Sequence, residues 1–142
     1  MATFVKYDQF AVDLAAGVHV LTTAGSLLKL ALTDTAPVTS THAVLADITE
    51  IAYTNISSPT MPADIANVGA ENPAGTWEVS GTDVTINASG TVAQFQYVVL
   101  YNDTPSSPLD PLIGYWDYGS KVNLTTGESF TVDFGAIILT IT

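Results

Sequence analysis

The chain has 142 residues, of which 47% are hydrophobic and only 12% are charged, about half the charged share of an average globular protein. This length predicts a single domain, residues 1–142, that can bury a hydrophobic core. The hydrophobic content excludes disorder over most of the chain, because disordered segments are poor in apolar residues. Cysteine is absent, which excludes disulfides and thiolate metal sites.

The charge is strongly acidic. Asp and Glu number 14 against three cationic residues, Lys6, Lys29 and Lys121, and the formal net charge is -11. Nucleic-acid binding is not expected, because contacts to phosphates need clustered Lys and Arg. The same charge would repel an anionic membrane, and no apolar run is long enough to span one. The acid excess could steer the chain toward a basic partner, although a merely soluble acidic protein is the simpler interpretation.

The N-terminal part predicts one helix and one strand. Apolar residues recur at helical spacing from Tyr7 to Ala16, and Gly17 is a natural residue to end that helix. Acidic side chains interrupt this stretch, so it is not a signal peptide, and we expect the protein to be made in a cytoplasm. A strand is predicted over 27–32, and a single helical turn within 42–51, with Thr41 as its N-cap.

Three segments are predicted to lack regular structure. A turn is expected at 22–26. Residues 53–76 show no periodicity and contain several Pro and Gly, and such a long irregular connection is uncommon inside a compact domain. We interpret it as a long irregular loop or arm that becomes ordered against a neighbour, with a hidden short strand as the alternative. Residues 1–7 could form a second arm.

The second half is predicted to be β-structure. Strands at 76–79 and 84–87 flank a turn at 80–83, a pattern typical of a hairpin. From 94 to 142, runs of Val, Ile, Thr and aromatic residues alternate with turn residues, which predicts one uninterrupted β-meander. The last apolar run must pair within a sheet or with another subunit, because a free apolar edge invites aggregation. The predicted fold is mainly β, an antiparallel β-sandwich with one or two short helices.

The aromatic cluster at 115–118 is the most distinctive local feature. Along a strand, Tyr115 and Asp117 face one side while Trp116 and Tyr118 face the other. We expect one side to lie in the core and the other to form an exposed aromatic surface, which suits a protein interface. A carbohydrate-binding platform and ordinary core packing are the alternatives. Together with the C-terminal strand, the predicted interface residues are Tyr115, Trp116, Tyr118, Ile137, Leu139 and Ile141.

No catalytic, cofactor-binding or metal-binding residue is predicted. The two histidines, His19 and His42, have neither the spacing of a zinc site nor the companion motif of a Ser-His-Asp triad. Asp103, Asp110 and Asp117 surround one turn and could form a carboxylate pair or a calcium site. Asp in turns more commonly bonds its own backbone, and the calcium-loop pattern is absent. Phosphate-binding loops are also absent, so the chain is not expected to be an enzyme.

Four blocks of the sequence resemble small virion proteins of tailed phages. They lie at 28–37, 44–51, 97–104 and 111–119, whereas residues 56–75 depart from the pattern. The resemblance implies a structural component of the virion, and among these a capsid cement or decoration protein fits best. Such a protein would lie on the outer capsid surface.

The resemblance also implies partners. The chain would bind the major capsid protein and copies of itself, as a dimer or trimer, and would stabilise contacts between capsid subunits without binding nucleic acid or membrane. A tail or head–tail structural protein is the alternative within phages. A carbohydrate-binding module that uses Tyr115, Trp116 and Tyr118 is the alternative from another class, and a small hydrolase is the least favoured.

Overall fold

The structure is a computed structural model that describes residues 2–22, 27–72 and 74–142, with only the backbone described for residues 67, 68 and 70–72. The predicted turn at 22–26 lies, from residue 23 onward, outside the described residues. The strands are β1 (Thr3–Lys6), β2 (Leu28–Thr33), β3 (Ile56–Ser58), β4 (Ala63–Asp64), β5 (Asn67–Asn72), β6 (Thr76–Gly81), β7 (Val84–Ala88), β8 (Phe95–Asn102), β9 (Leu112–Val122), β10 (Ser129–Val132) and β11 (Leu139–Ile141). Helix α1 spans Asp8–Ala15, and a short 3-10 turn spans Leu45–Asp47.

The strands form three antiparallel sheets in the described part of the chain. The largest has five strands in the order β1-β9-β8-β2-β4, and two three-stranded sheets have the orders β10-β7-β3 and β11-β6-β5. The main apolar cluster takes side chains from all three sheets and from α1, for example Leu30 of β2, Val79 of β6, Ile86 of β7 and Phe10 of the helix. The prediction of a mainly β fold with antiparallel, sandwich-like sheets is confirmed.

The five-stranded sheet is covered on both faces. Residues of β2 alternate between two clusters, with Leu30 and Leu32 in the main core and Ala31 in a second, smaller one, as the two-residue period of a strand requires. The smaller cluster also contains Tyr101 and is covered by Ile48, which follows the 3-10 turn. This cover explains why β2 is almost continuously apolar rather than alternating.

Helix α1 is confirmed, and Gly17 ends it as predicted. Gly17 has a φ of 77°, its N–H donates to the Leu14 carbonyl at 3.2 Å, and the Val18 N–H donates to the Asp13 carbonyl at 2.9 Å. This pair of bonds is the Schellman motif, which satisfies the last carbonyls of a helix. The apolar side of the helix places Phe10 in the core.

The predicted irregular arm at 53–76 is corrected, because the segment contains β3, β4 and β5. Each of these short strands lies at the edge of its sheet, where Pro residues such as Pro59 and Pro62 between them are tolerated. Strands β3 and β4, of three and two residues, are too short to show a periodicity, and β5 contains few apolar residues. The expected N-terminal arm is also corrected, since β1 pairs with β9 of its own chain and Tyr7 is buried.

The predicted hairpin at 76–87 is wrong, because β6 and β7 lie in different sheets. The chain changes sheets at 82–83, where the Thr82 N–H donates to the Ala66 carbonyl at 3.1 Å and Asp83 Oδ1 accepts from the Phe134 N–H at 2.9 Å. The turn residues therefore connect strands of two different sheets. Strand and turn signals report local conformation and do not report the pairing partner.

The predicted meander over 94–142 is only partly correct. Strands β8 and β9 pair with each other, but β10 pairs with β7 and β11 pairs with β6. The predicted N-cap at Thr41 is also wrong, because the 3-10 turn begins at Leu45 with Val44 in the cap position. The Asp47 carboxylate accepts from the Ala43 and Val44 N–H groups at 2.8 and 3.1 Å, which fixes the turn there.

Candidate functional site

The predicted aromatic surface is largely part of the core. Trp116 is only 5% exposed, and its ring centroid lies 4.8 Å from that of Phe4 and 5.4 Å from that of Phe134. Tyr118, on the same side of β9, packs edge-on against Phe130 at 4.9 Å, and burial, with the charge of Asp133, raises its pKa to about 12. The predicted interface residue Trp116 therefore lies in the core of its own chain.

Tyr115 lies on the opposite side of β9. It is partly buried and contacts Tyr7 and Tyr97, with ring centroids 5.6 and 6.1 Å away. The predicted alternation along the strand is correct, and the rings divide between its two faces, with Tyr115 beside Tyr7 and Tyr97 on one face and Trp116 and Tyr118 on the other. The three rings of 115–118 therefore do not form one open platform on which a sugar could stack.

The C-terminal strand, β11, buries one side chain in the core, and one of its two backbone edges is unpaired within the described residues. Leu139 is 5% exposed, whereas Ile137 and Ile141 are partly buried, so of these three predicted interface residues Leu139 belongs to the core. Strand β11 pairs with β6 on one side. Within the described residues no strand pairs with its other side, and an open edge presents backbone groups to which another strand can bond.

A groove of about 190 Å³ lies between this strand and α1. Phe10 and Leu14 line the helix side of the groove, Thr140 and Ile141 line the strand side, and Lys6 is also in its wall. The other two lysines are held by carboxylates, whereas Lys6 forms no ion pair in the described part of the chain. The groove thus combines apolar side chains, an open strand edge and a cation.

A charged cluster surrounds Lys29. Strand β2 lies between β4 and β8, which places Lys29 opposite Asp64 and Tyr101. The Lys29 Nζ lies 3.1 Å from Asp103 Oδ2 and 3.5 Å from Asp64 Oδ1. The hydrogen bond with Asp103 is the main reason why the pKa of Lys29 is raised. Sequence reasoning singled out Asp103 but missed Lys29, because pairing of β4 with β2 was not predicted.

Asp110 lies beside this cluster. Burial, a hydrogen bond with Asp103 and the negative charge of Asp103 raise the pKa of the Asp110 carboxyl. The structure therefore brings together two of the three predicted turn carboxylates. The third, Asp117, lies within strand β9 rather than in a turn, and it accepts from the Gly119 N–H at 2.7 Å. Within the described residues, no group of three or more His, Cys, Asp or Glu side chains could hold a metal ion.

Replacing Asp110 with Asn is expected to stabilise the protein at neutral pH. The exchange removes the repulsion between Asp110 and Asp103, and Asn tolerates the positive φ of 50° at this position. The raised pKa means that folding binds a proton, so the wild type becomes relatively more stable as the pH falls through that pKa. Urea denaturation should show a gain of about 0.5–1 kcal/mol at neutral pH.

The gain should shrink at acidic pH, where the wild-type carboxyl is protonated as well. Asp117→Asn is a suitable control, because it removes the same charge from an exposed position on β9, where the Asn Oδ1 can still accept from the Gly119 N–H. An equal effect of both substitutions would show that net charge, rather than the contact between Asp103 and Asp110, is responsible.

Comparisons with known proteins identify no relative: no protein-family model, curated protein or solved structure matches the chain. None of the helices in the described ranges has the length and apolar character needed to cross a membrane. Any proposal about function therefore depends on the geometry described above and on the resemblance of the four sequence blocks.

Proposed function

We propose that the chain is a non-enzymatic structural protein of a phage virion, a cement protein that binds the outer capsid shell and stabilises contacts between major capsid subunits. The open edge of β11, beside the groove along α1, is the observation that carries this proposal. An extended segment of a neighbouring protein can add to such an edge through main-chain hydrogen bonds, while the groove accepts its side chains.

The positions of the four resembling blocks support the proposal. Blocks 28–37, 97–104 and 111–119 supply β2, β8 and β9, which are adjacent in the five-stranded sheet. Block 44–51 lies on the same sheet, because Val44 bridges to Pro111. Blocks that are separate in sequence thus form one continuous body. Residues 56–75, which depart from the resemblance, supply edge strands. Sequence differences are expected at such edges when related proteins share the central strands.

The charge of the surface fits an architectural role. A net charge of -11 favours a partner with basic groups. A cement protein is present in many copies, so individually weak contacts can together hold the shell through avidity. Binding through the β11 edge forms hydrogen bonds and requires no covalent bond to be made or broken.

The proposal is tested with purified particles that carry this chain. Removing the protein should lower the temperature at which the particles lose their contents, and adding back the wild-type protein should restore it. Thr140→Lys should bind such stripped particles about tenfold more weakly, a loss of about 1.4 kcal/mol, because a lysine on an edge strand opposes strand addition.

Thr91→Lys is the matched control, because Thr91 is also exposed but lies outside the groove. Equal binding of the two variants would contradict the role of the β11 edge. Unchanged heat resistance of stripped particles would contradict the cement function itself. The copy number, measured on stained gels, separates the shell from the tail: hundreds of copies support the shell, and a few dozen or fewer would favour the tail alternative.

A further inference from the structure

A buried polar cluster lies at the C-terminal end of α1. Asp13 is 5% exposed, His19 4% and Asn102 0%. The Asn102 side-chain nitrogen lies 3.3 Å from His19 Nδ1, and Gln9 donates to Asp13 Oδ1 at 2.8 Å. Two atoms of the cluster, His19 Nε2 and Asp13 Oδ2, are buried without a hydrogen-bond partner. Such atoms are rare in folded proteins and call for a physical explanation.

His19 belongs to a segment, residues 18–22, that connects α1 to the rest of the fold through a few specific contacts. The ring of His19 packs on Phe10 with centroids 5.2 Å apart. The Leu21 carbonyl accepts from the indole N–H of Trp77 at 2.8 Å. The same carbonyl passes so close to Gly69 that a Cβ there would lie 1.9 Å from its oxygen. The segment therefore packs between α1 and strands β5 and β6.

The charges around His19 are few. Among the described residues, α1 contributes Asp13, whose charge raises the pKa of His19, while the larger effect, burial, lowers it. Strand β8 contributes the neutral amide of Asn102. The next residue, Asp103, is held by Lys29 on the other face of the strand. Burial therefore disfavours a proton on His19 in the folded protein, because the charge would be poorly solvated there.

We propose that residues 18–22 form an acid-released latch, in which a proton on His19 detaches the segment from Asn102 and frees the indole of Trp77. Neutral His19 can accept the Asn102 hydrogen bond at Nδ1, and protonation removes that lone pair. The charge also gains solvation when the ring leaves the core. The inference concerns a local opening and does not depend on the proposed virion function.

The sign of the pH dependence follows from the lowered pKa. In the unfolded or opened segment His19 has an ordinary pKa of about 6.5, so opening binds a proton below that pH. The stability that neutral His19 contributes to the closed state is therefore fully present above about pH 6.5 and is lost as the pH falls toward the lowered pKa. The neighbouring carboxylate reduces this loss but does not reverse it.

Hydrogen exchange measured by mass spectrometry on the full chain tests the latch. Protection factors, corrected for the intrinsic effect of pH on exchange, are compared at about pH 7.5 and about pH 5. We expect peptides that cover 18–22 to lose about tenfold in protection at the lower pH, while peptides in β9 remain protected. Tryptophan fluorescence should change over the same range, because the indole of Trp77 is released while Trp116 stays buried in the core.

His19→Gln should abolish this pH dependence, whereas His42→Gln should preserve it, because His42 lies on the surface, where its Nδ1 accepts from the Val38 N–H. If His19→Gln does not fold, histidine NMR of the wild type decides: the His19 titration midpoint must lie below about 6.5. Equal protection of 18–22 at both pH values, a response that persists in His19→Gln, or an unshifted midpoint would overturn the latch.

Discussion

Trp116→Ala is expected to lower the free energy of unfolding by about 3–5 kcal/mol, as is typical when a large buried aromatic side chain is removed. Trp116 is in contact with two rings, one on β1 and one just after β10. Its loss would therefore leave a cavity where the five-stranded sheet meets the β10 side of the core. Equilibrium urea denaturation followed by circular dichroism measures the effect.

Tyr115→Ala is the matched comparison on the neighbouring position of β9. Tyr115 is partly exposed, so its removal should destabilise the protein clearly less than removal of Trp116. The pair also tests the carbohydrate-binding alternative. A Trp116→Ala protein that stays as stable as the wild type but loses binding on a glycan array would show that this side chain faces a ligand, contrary to its burial.

Local features of the fold could be predicted from the sequence, whereas strand partners could not. The helix was found because its spacing and Gly17 report conformation over one turn. The sequence predicts a hairpin at 82–83, where the structure has a connection between two sheets, because the same Gly and Asp signals suit either connection. What decides between them is a long-range contact, the bond from the Phe134 N–H to Asp83, which no local pattern encodes.

The β11 edge, the Lys29 cluster and the surroundings of His19 likewise depend on long-range contacts that the sequence does not reveal. The apolar C-terminal run correctly predicts a strand that pairs within a sheet, but the sequence could not show that Leu139 lies in the core or that α1 lies beside β11. The Lys29 cluster depends on two neighbouring strands. The sequence predicts no role for His19, because no motif indicates that this side chain is buried. Its burial results from the packing of residues 18–22 on α1.

Gly69→Ala is expected to be among the most damaging single-atom additions to this chain. A Cβ at position 69 would lie 1.9 Å from the Leu21 oxygen and 2.9 Å from the Leu21 carbonyl carbon. Because both are backbone atoms, no rotamer change can relieve the clash, and either β5 or the 18–22 segment must move. Overpacking of this kind costs about 1–3 kcal/mol and occasionally more, and we expect about 3 kcal/mol here.

Gly90→Ala provides the control that separates a rigid clash from a flexible one. The atoms nearest to a Cβ there all belong to the side chain of Asn55, at 2.8 Å or more, and that exposed side chain can move away at the cost of its hydrogen bond to the Thr91 carbonyl. The expected loss is therefore below about 1 kcal/mol. Because the latch contacts meet at Leu21, Gly69→Ala should also lower the protection of 18–22 at neutral pH, where His19 carries no proton. Equal stability of the two variants in urea would show that 18–22 does not lie against β5, and the packing that holds His19 in the core would then be wrong.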